Sequence, residues 1–258
     1  MHEKALSFIL KIKYTKYKTV TEEIIVKTLD FKKWQERQLF YGGSFKPGSP
    51  LCKVVTRLLA LLFPVAILLS ITWMITGLEP FYEYQFARNE ISNVTGIEQK
   101  DLTKVIVALS EYVVGQRDSM QVSVPIKGVL QPVYGDRELA HMVDVRAIFD
   151  GLRLFVVGYG VILTANLIWD RKRLFRRLDQ LARYGVWGTL VIVISLGLLV
   201  IVDFTKYFYA FHEIFFTNDL WLLDPDTDVL IQMLPEVFFR DAALSILLLS
   251  IGLQWLFR

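Results

Sequence analysis

Two histidines stand in segments whose residue types could support acid–base chemistry. His141 lies in the segment ELAHMVDVR, and His212 lies in the segment FHEIFFTNDLWLLDPDTDVLIQMLPEVFF. An imidazole has a pKa near 6.5, which suits it to take or give a proton at neutral pH. On a helix, Asp144 would share a face with His141, because the two are three residues apart. A lone histidine is usually structural, but two that lie beside acids and aromatic residues favour structural and catalytic roles about equally.

The second segment, residues 211–239, alternates acids with aromatic side chains. Its sequence DPDTD, residues 224–228, spaces three aspartates as a calcium loop does, but it lacks the glycine and the distal glutamate of that motif. One interpretation is a turn between two interfacial helices, whose aromatic residues lie among lipid head groups. The other is a polar site set in an apolar platform, which an enzyme that acts on lipid needs.

Several other kinds of chemistry lack their residues in this sequence. The chain has one cysteine, Cys52, so an intramolecular disulfide and a cysteine-based zinc cluster are excluded. No Gly-x-Ser-x-Gly sequence is present, as the nucleophile elbow of a serine lipase requires. His212 and Glu213 lack the second histidine of a zinc-protease helix. We therefore expect no metal and no cofactor.

The elements that must hold the two histidines are suggested by the composition. The chain has 258 residues, of which 53% are hydrophobic and 21% are charged, and its mean hydropathy is +0.40. This is too apolar for an ordinary soluble domain and too charged for a chain made only of membrane spans. The net charge of +3 is too small for a nucleic-acid-binding protein, so no nucleic-acid partner is expected.

Four stretches are long and apolar enough to cross a bilayer as helices, which takes roughly 20 residues. The predicted spans are residues 54–78, 152–169, 186–203 and 241–258. They separate a basic tail and linker (residues 1–53), a loop of residues 79–149, a short basic loop (residues 170–185) and a loop of residues 204–240. The sequence thus predicts an all-α dominated polytopic membrane protein with four transmembrane helices and a small extracytoplasmic domain made from the two longer loops.

The charges of these segments predict the orientation of the chain. Residues 1–53 hold 11 basic and five acidic residues, and the short loop 170–185 holds six basic and two acidic ones. The loop 79–149 has seven basic and ten acidic residues, and the loop 204–240 has two and six. Because basic loops stay on the cytoplasmic side, both termini are expected there and both histidines at the outer membrane surface.

Local patterns also predict elements inside the first outer loop. Apolar residues recur at three- and four-residue spacing over residues 101–114, which indicates an amphipathic helix. The stretches 121–124 and 128–130 could form short extended segments. Residues 139–149 then read as a helix that continues into the second span.

The four spans and the two histidine segments together resemble the lipoprotein intramolecular transacylase (Lit) family of bacterial integral membrane proteins. The resemblance covers about residues 54–258 and leaves the Lys-rich first 48 residues outside. Members act at the outer leaflet on S-diacylglyceryl-cysteine lipoproteins. They move the sn-2 acyl chain to the cysteine α-amino group, which gives a lyso-form lipoprotein. The resemblance implies a bacterial cell-membrane enzyme with diacylglyceryl lipoproteins as substrate and membrane lipid as its surroundings, and we expect a monomer.

The family depends on two histidines, which the motifs place here at His141 and His212. We assign His212 as the general base because its motif is longer, and His141 as the oxyanion donor or second proton carrier, although the roles could be exchanged. Acyl donor and acceptor belong to one molecule, so orientation is the main requirement. The residues expected to orient the imidazoles and hold the site together are Asp144, Asp219, Arg146 and Glu236. The expected platform for substrate and lipid consists of Trp221, Phe211 and Phe215.

Two other functions remain open on the sequence. One is a metal-dependent membrane hydrolase whose ligands are the two histidines with carboxylates such as Asp144 or Asp219. The other is a non-catalytic membrane protein whose acidic outer loops bind a partner. Activity that survives chelators would contradict the first, and loss of function on substitution of both histidines would contradict the second.

Overall fold

The computed structural model describes residues 49–169 and 174–256. The predicted basic tail up to residue 48, the start of the predicted cytoplasmic loop (170–173) and the end of the fourth predicted span (257–258) lie outside the described residues. The chain divides into two compact units between Val55 and Thr56. Residues 49–55 are the described part of the first unit, where the Cys52 backbone N–H donates to Ser49 Oγ at 3.3 Å.

Within the described ranges the chain forms helices and one short hairpin. The helices are α1 (Pro50–Thr76), α2 (Glu79–Arg88), α3 (Ile91–Thr95), α4 (Gln99–Val113), α5 (Asp136–Trp169), α6 (Leu174–Phe215), α7 (Val229–Met233) and α8 (Glu236–Leu256), and the strands are β1 (Ser123–Ile126) and β2 (Val129–Pro132). The predicted dominance of α-helix is confirmed. The helix predicted over residues 101–114 is α4, and the helix predicted from residue 139 into the second span is part of α5.

Three helices are long and apolar enough to cross a membrane, counted over the described residues. They are α1, α5 and residues 181–215 of α6. The first three predicted spans fall almost wholly inside them, because apolar runs of this length bury their backbone polar groups only as helices. The fourth predicted span is helical as well, in α8, and its crossing of a membrane stays a prediction.

Close packing between α1 and α6 depends on a glycine. A Cβ atom placed on Gly188 of α6 would lie 2.8 Å from Pro64 Cγ of α1, which is closer than such atoms pack. Glycine therefore lets the two helices approach. Leu68, Val193 and Leu247, from α1, α6 and α8, form a buried cluster that joins the three helices.

Helix α6 changes direction at Asp203. The backbone of Asp203 is extended (φ −163°, ψ 82°), while its neighbours are helical. The Lys206 backbone N–H donates to Asp203 Oδ1 at 3.0 Å. This is N-cap geometry, in which a side-chain oxygen satisfies an N–H in the first turn of a new helix. Residues 204–215 therefore form a separate helical segment that carries His212. We call it the outer part of α6, because it belongs to the second predicted outer loop.

The two predicted outer loops, residues 79–149 and 204–240, fold together into one unit that we call the small domain. A single buried core combines side chains from both loops, with Phe86, Leu102 and Ile106 from the first and Met233 and Phe238 from the second. The second loop therefore completes the core of the first. The short helix α7 and the start of α8 are fixed by this core.

The hairpin of the small domain leads the chain into α5. Strands β1 and β2 are antiparallel, and the pair nearest the turn is Ile126 with Val129. The turn residues Lys127 and Gly128 both have positive φ, 51° and 84°. Two-residue hairpin turns favour this backbone because its twist matches that of the strands, and glycine adopts it without strain. The two predicted extended segments are thus confirmed as a hairpin.

Candidate active site

His212 lies on the outer part of α6, where a local hydrogen bond fixes which ring nitrogen carries the hydrogen. Its Nδ1 lies 2.7 Å from the carbonyl oxygen of Phe208, one helical turn earlier. A carbonyl oxygen only accepts, so Nδ1 carries the hydrogen and donates it. In the neutral ring Nε2 then holds the lone pair. His212 is therefore arranged to accept a proton at Nε2.

His141 lies on the second turn of α5 and is buried, with 7% of its surface exposed. Its Nδ1 has no hydrogen-bond partner among the described residues. Buried polar atoms are nearly always hydrogen-bonded, so this ring nitrogen is able to bond to a group outside the protein. His141 thus offers a buried nitrogen for a substrate atom.

The structure brings the two histidines together, as the sequence suggested. Their ring centroids are 6.2 Å apart, and the planes are tilted by 32°. Phe216 packs against both rings, at 5.1 Å from His141 and 5.5 Å from His212. No hydrogen bond joins the two imidazoles in the described part of the chain. The two imidazoles are therefore close enough to act on one substrate molecule.

Both imidazoles lie outside the predicted spans, residues 152–169 and 186–203, although they belong to the longer helices α5 and α6 that contain these spans. On α5, the charged residues Asp144 and Arg146 stand between His141 and the second predicted span. On α6, His212 follows the break at Asp203. Charged side chains are costly in the hydrocarbon core, so the sequence predicts that these helix ends lie on the polar side of the membrane boundary.

Burial keeps both rings neutral. Desolvation, with a smaller effect of the neighbouring His212, lowers the pKa of His141 to about 4, against a raising effect of the Asp144 carboxylate. Desolvation also lowers the pKa of His212, although its hydrogen bond to Phe208 acts the other way. At neutral pH both imidazoles are therefore uncharged, the form in which one nitrogen accepts and the other donates.

Aromatic side chains surround the His212 ring. The centroids of Phe208 and Trp221 lie 4.4 and 4.9 Å from it, and that of Phe211 lies 5.4 Å away. Phe215 packs against Phe211 at 4.6 Å, and both are exposed. Phe211 and Trp221 of the predicted platform thus pack against His212, and Phe215 extends this apolar surface through its contact with Phe211.

The predicted supporting acids contact other residues than the imidazoles. Asp144 accepts a hydrogen bond from Asn218 Nδ2 at 2.9 Å. The carboxylate of Asp219 lies 3.9 Å from Arg137, which also donates to the Asp219 backbone oxygen. Both pairs join α5 to the segment that follows α6.

Arg146 and Glu236 also hold elements together at a distance from the imidazoles. Arg146 donates to the Arg117 backbone oxygen at 2.9 Å, and its guanidinium lies 4.7 Å from the centre of the Tyr112 ring. Glu236 accepts a hydrogen bond from Thr205 Oγ1 at 2.6 Å. The latter bond ties the start of α8 to the first turn of the outer part of α6.

Five residues at or beside the site were not singled out in the sequence. They are Phe208, Phe216, Asn218, Arg137 and Glu138. Phe208 could have been found, because it precedes His212 by four residues and so lies one turn earlier on the same helix face. The others act through contacts between segments that are distant in sequence, which no local pattern reveals.

A metal centre would need ligands that converge. Within residues 49–169 and 174–256, no group of three histidine, cysteine, aspartate or glutamate side chains could hold a metal ion. The carboxylates considered for the hydrolase, Asp144 and Asp219, are engaged by Asn218 and Arg137.

Comparison with known proteins identifies the family. The sequence model of the lipoprotein intramolecular transacylases, Lit, matches residues 57–239. The chain belongs to this family. The resemblance found in the two histidine motifs is thereby confirmed, and with it the activity of a membrane-bound lipoprotein transacylase.

Individual proteins are similar to this transacylase in sequence or in fold. An uncharacterised protein of Aquifex aeolicus (strain VF5) is 25% identical over 200 residues, which are 77% of this chain and 88% of that protein. The in meso structure of the Bacillus cereus transacylase Lit has a TM-score of 0.68 at 23% identity and covers 80% of this chain and 92% of the other. A histidine-to-arginine variant of that protein has a TM-score of 0.64 at 22% identity and covers 80% and 88%. These structures share the fold of this Lit family member.

Proposed function

We propose that this transacylase moves the sn-2 acyl chain of an S-diacylglyceryl-cysteine lipoprotein to the cysteine α-amino group, with His212 as general base and His141 as oxyanion donor. The observation that carries the assignment is the pair of neutral imidazoles, 6.2 Å apart, with a free lone pair on His212 Nε2. The product is a lyso-form lipoprotein.

The first step requires a neutral amine. The α-ammonium loses one proton to solvent before the nitrogen attacks the ester carbonyl. As the new C–N bond forms, His212 Nε2 takes the second proton from nitrogen. When the tetrahedral intermediate collapses, the C–O bond to glycerol breaks, and the imidazolium of His212 returns its proton to the departing glycerol oxygen. The net change is one ester and one amine to one amide and one alcohol.

His141 is suited to the other half of the reaction. The ester oxygen becomes negatively charged in the tetrahedral intermediate and needs a positioned donor. A neutral imidazole has one N–H, and His141 has a buried nitrogen without a partner in the described residues. The pKa of His141 is lowered to about 4, so its ring is uncharged at neutral pH. In this neutral form its N–H can donate a hydrogen bond to the oxyanion. It therefore stabilises the oxyanion and leaves proton transfer to His212.

The supporting residues divide into two groups. The charge of Asp144 favours the protonated form of His141, so we assign Asp144 to the electrostatics of that ring. Asp219, Arg146 and Glu236 hold the surrounding elements in place. The exposed rings of Phe211 and Phe215, together with the half-buried ring of Trp221, provide the surface for the acyl chain and membrane lipid.

The membrane arrangement is also part of the proposal. We place α1, α5, α6 and α8 across the membrane, with both termini in the cytoplasm and the small domain outside. Helix α8 has 21 residues, which at 1.5 Å per residue is about the 30 Å of a bilayer core. The alternation of basic and acidic segments supports this orientation. The enzyme acts as a monomer, without metal or cofactor.

The test is expression in bacterial cells whose lipoproteins stop at the diacylglyceryl stage. Mass spectrometry of an N-terminal lipopeptide should then show an N-acyl, S-monoacylglyceryl cysteine. A lipopeptide that stays diacylglyceryl would contradict the proposal, and a lipopeptide that loses an acyl chain without N-acylation would indicate a hydrolase instead.

A further inference from the structure

A buried carboxylate outside the pair of histidines links the two segments of the site. Glu138, in the first turn of α5, is 2% exposed. Its Oε2 accepts a hydrogen bond from the Gly135 backbone N–H at 2.6 Å, and its Oε1 accepts one from the Leu230 backbone N–H, also at 2.6 Å. No ion pair of Glu138 is found in the described part of the chain. Burial of a carboxylate without a neighbouring cation is energetically unfavourable, so we expect the buried Glu138 to have a specific role.

The second of these bonds caps a helix from outside it. Leu230 belongs to α7, whose N-cap residue Asp228 makes no side-chain capping bond. The N–H groups at the start of a helix need acceptors, and Glu138 supplies one from a different helix. The carboxylate therefore fixes α7 against the first turn of α5.

Each of the two joined elements leads directly to an imidazole. Helix α5 carries His141 one turn after Glu138. Helix α7 ends the segment 216–233, whose first residue, Phe216, packs against both imidazoles and whose Trp221 packs against His212. A shift of this segment along α5 would move those rings relative to His141.

Glu138 is the buried member of three polar pairs that join these two segments among the described residues. The others are Arg137 with Asp219 and Asp144 with Asn218, and both are exposed. Exposed polar pairs contribute little, because water competes for both partners. The buried, charge-assisted bond is therefore the strongest of the three.

We infer that Glu138 is a positioning residue of the transacylase, which sets the place of segment 216–233 on α5 and so the geometry between His141 and His212. It acts through these rings and does not touch the substrate. This inference rests on the proposed function of the two histidines.

The test compares Glu138→Gln and Glu138→Leu with Asp136→Asn. Glutamine keeps one acceptor oxygen in nearly the same shape, leucine keeps none, and Asp136 is an exposed acid in the same helical turn. For each variant, kcat and KM are measured in detergent with a synthetic S-diacylglyceryl lipopeptide. Hydrogen exchange is followed by mass spectrometry in residues 216–234 and, for comparison, in α4.

We expect kcat of Glu138→Gln to fall at least tenfold, because small displacements of reacting groups are costly, while KM changes less than twofold. Exchange should quicken in residues 216–234 and stay unchanged in α4. Glu138→Leu should be slower still, and Asp136→Asn should match the unmodified chain.

Two results would overturn the inference. One is a kcat for Glu138→Gln equal to that of Asp136→Asn. The other is faster exchange with an unchanged kcat per folded molecule, which would make Glu138 structural only. If the unmodified chain forms no N-acyl product, the proposed function fails, and the exchange measurement alone then decides whether Glu138 holds the segment.

Discussion

Replacing His212 by asparagine separates the two roles of its ring. The asparagine side-chain amide can take the position of Nδ1 and still donate to the Phe208 carbonyl, which lies 2.7 Å from that nitrogen. It provides nothing in the position of Nε2, so the proton acceptor is lost. His212→Ala removes both functions and serves as the comparison.

General values give the expected magnitudes of both losses. A positioned general base contributes about 10²- to 10⁴-fold to rate, which is about 2.7–5.4 kcal/mol of activation free energy. We expect kcat of both variants to fall by at least a hundredfold. The hydrogen bond to Phe208 is worth about 1 kcal/mol, so His212→Ala should also melt at a lower temperature than His212→Asn.

The assay follows conversion of a diacylglyceryl lipopeptide by liquid chromatography and mass spectrometry, with thermal melting in the same detergent. His141→Ala provides a second comparison, because loss of one oxyanion donor costs about 10²- to 10³-fold. If His212→Asn kept more than a tenth of the activity of the unmodified chain, the assignment of His212 as base would be refuted.

Three further predictions concern the rings, the helix break and the orientation. In an NMR titration of the imidazole C–H signals, His212 should titrate below the usual 6.5 and His141 lower still, near 4, because burial disfavours the charged ring; a value above 6.5 for either would be inconsistent. Asp203→Ala should lower the melting temperature and kcat, since it removes the side-chain cap on the Lys206 N–H, which is worth about 1 kcal/mol. Asp203→Asn should change both little, because asparagine also caps helices. Equal effects of the two substitutions would contradict the capping role. Asp118→Cys, in a chain whose native cysteine is replaced by serine, should react with a membrane-impermeant maleimide on intact cells, because Asp118 is exposed on the small domain. Labelling only after lysis would indicate the opposite orientation of the chain.

Much of the helical architecture could be predicted from the sequence, because it depends on local pattern. The apolar runs give α1, α5 and α6, and three- and four-residue spacing gives α4. The charge at Asp203 marked the end of the third span, although not that its side chain caps the next helical segment.

The packing of the small domain could not be predicted in this way. Leu102 and Met233 share one buried core, although they are far apart in sequence. Each segment alone shows only which face is apolar and does not show which partner covers that face. The sequence predicted a small domain made from the two longer loops, but it did not show which side chains of the second loop enter the core.

The active site likewise was predictable from the sequence only in part. Residue type and motif were enough to select His141 and His212, since few side chains exchange protons at neutral pH. The contacts that hold them depend on tertiary structure. Spacing placed Asp144 on the face of His141, but its hydrogen bond is with Asn218. Glu138 gave no signal, because an acid in a first helical turn is ordinarily exposed.

The central claim is the transfer of one particular acyl chain to nitrogen with the two histidines as catalysts. Its most direct test uses the purified chain and a lipopeptide whose sn-1 and sn-2 acyl chains differ by isotope label, with fragmentation of the product. The proposal predicts that the sn-2 label appears on the cysteine nitrogen with the unmodified chain and not with His212→Asn. Transfer of the sn-1 label, release of free fatty acid without an N-acyl product, or equal product from both proteins would contradict it.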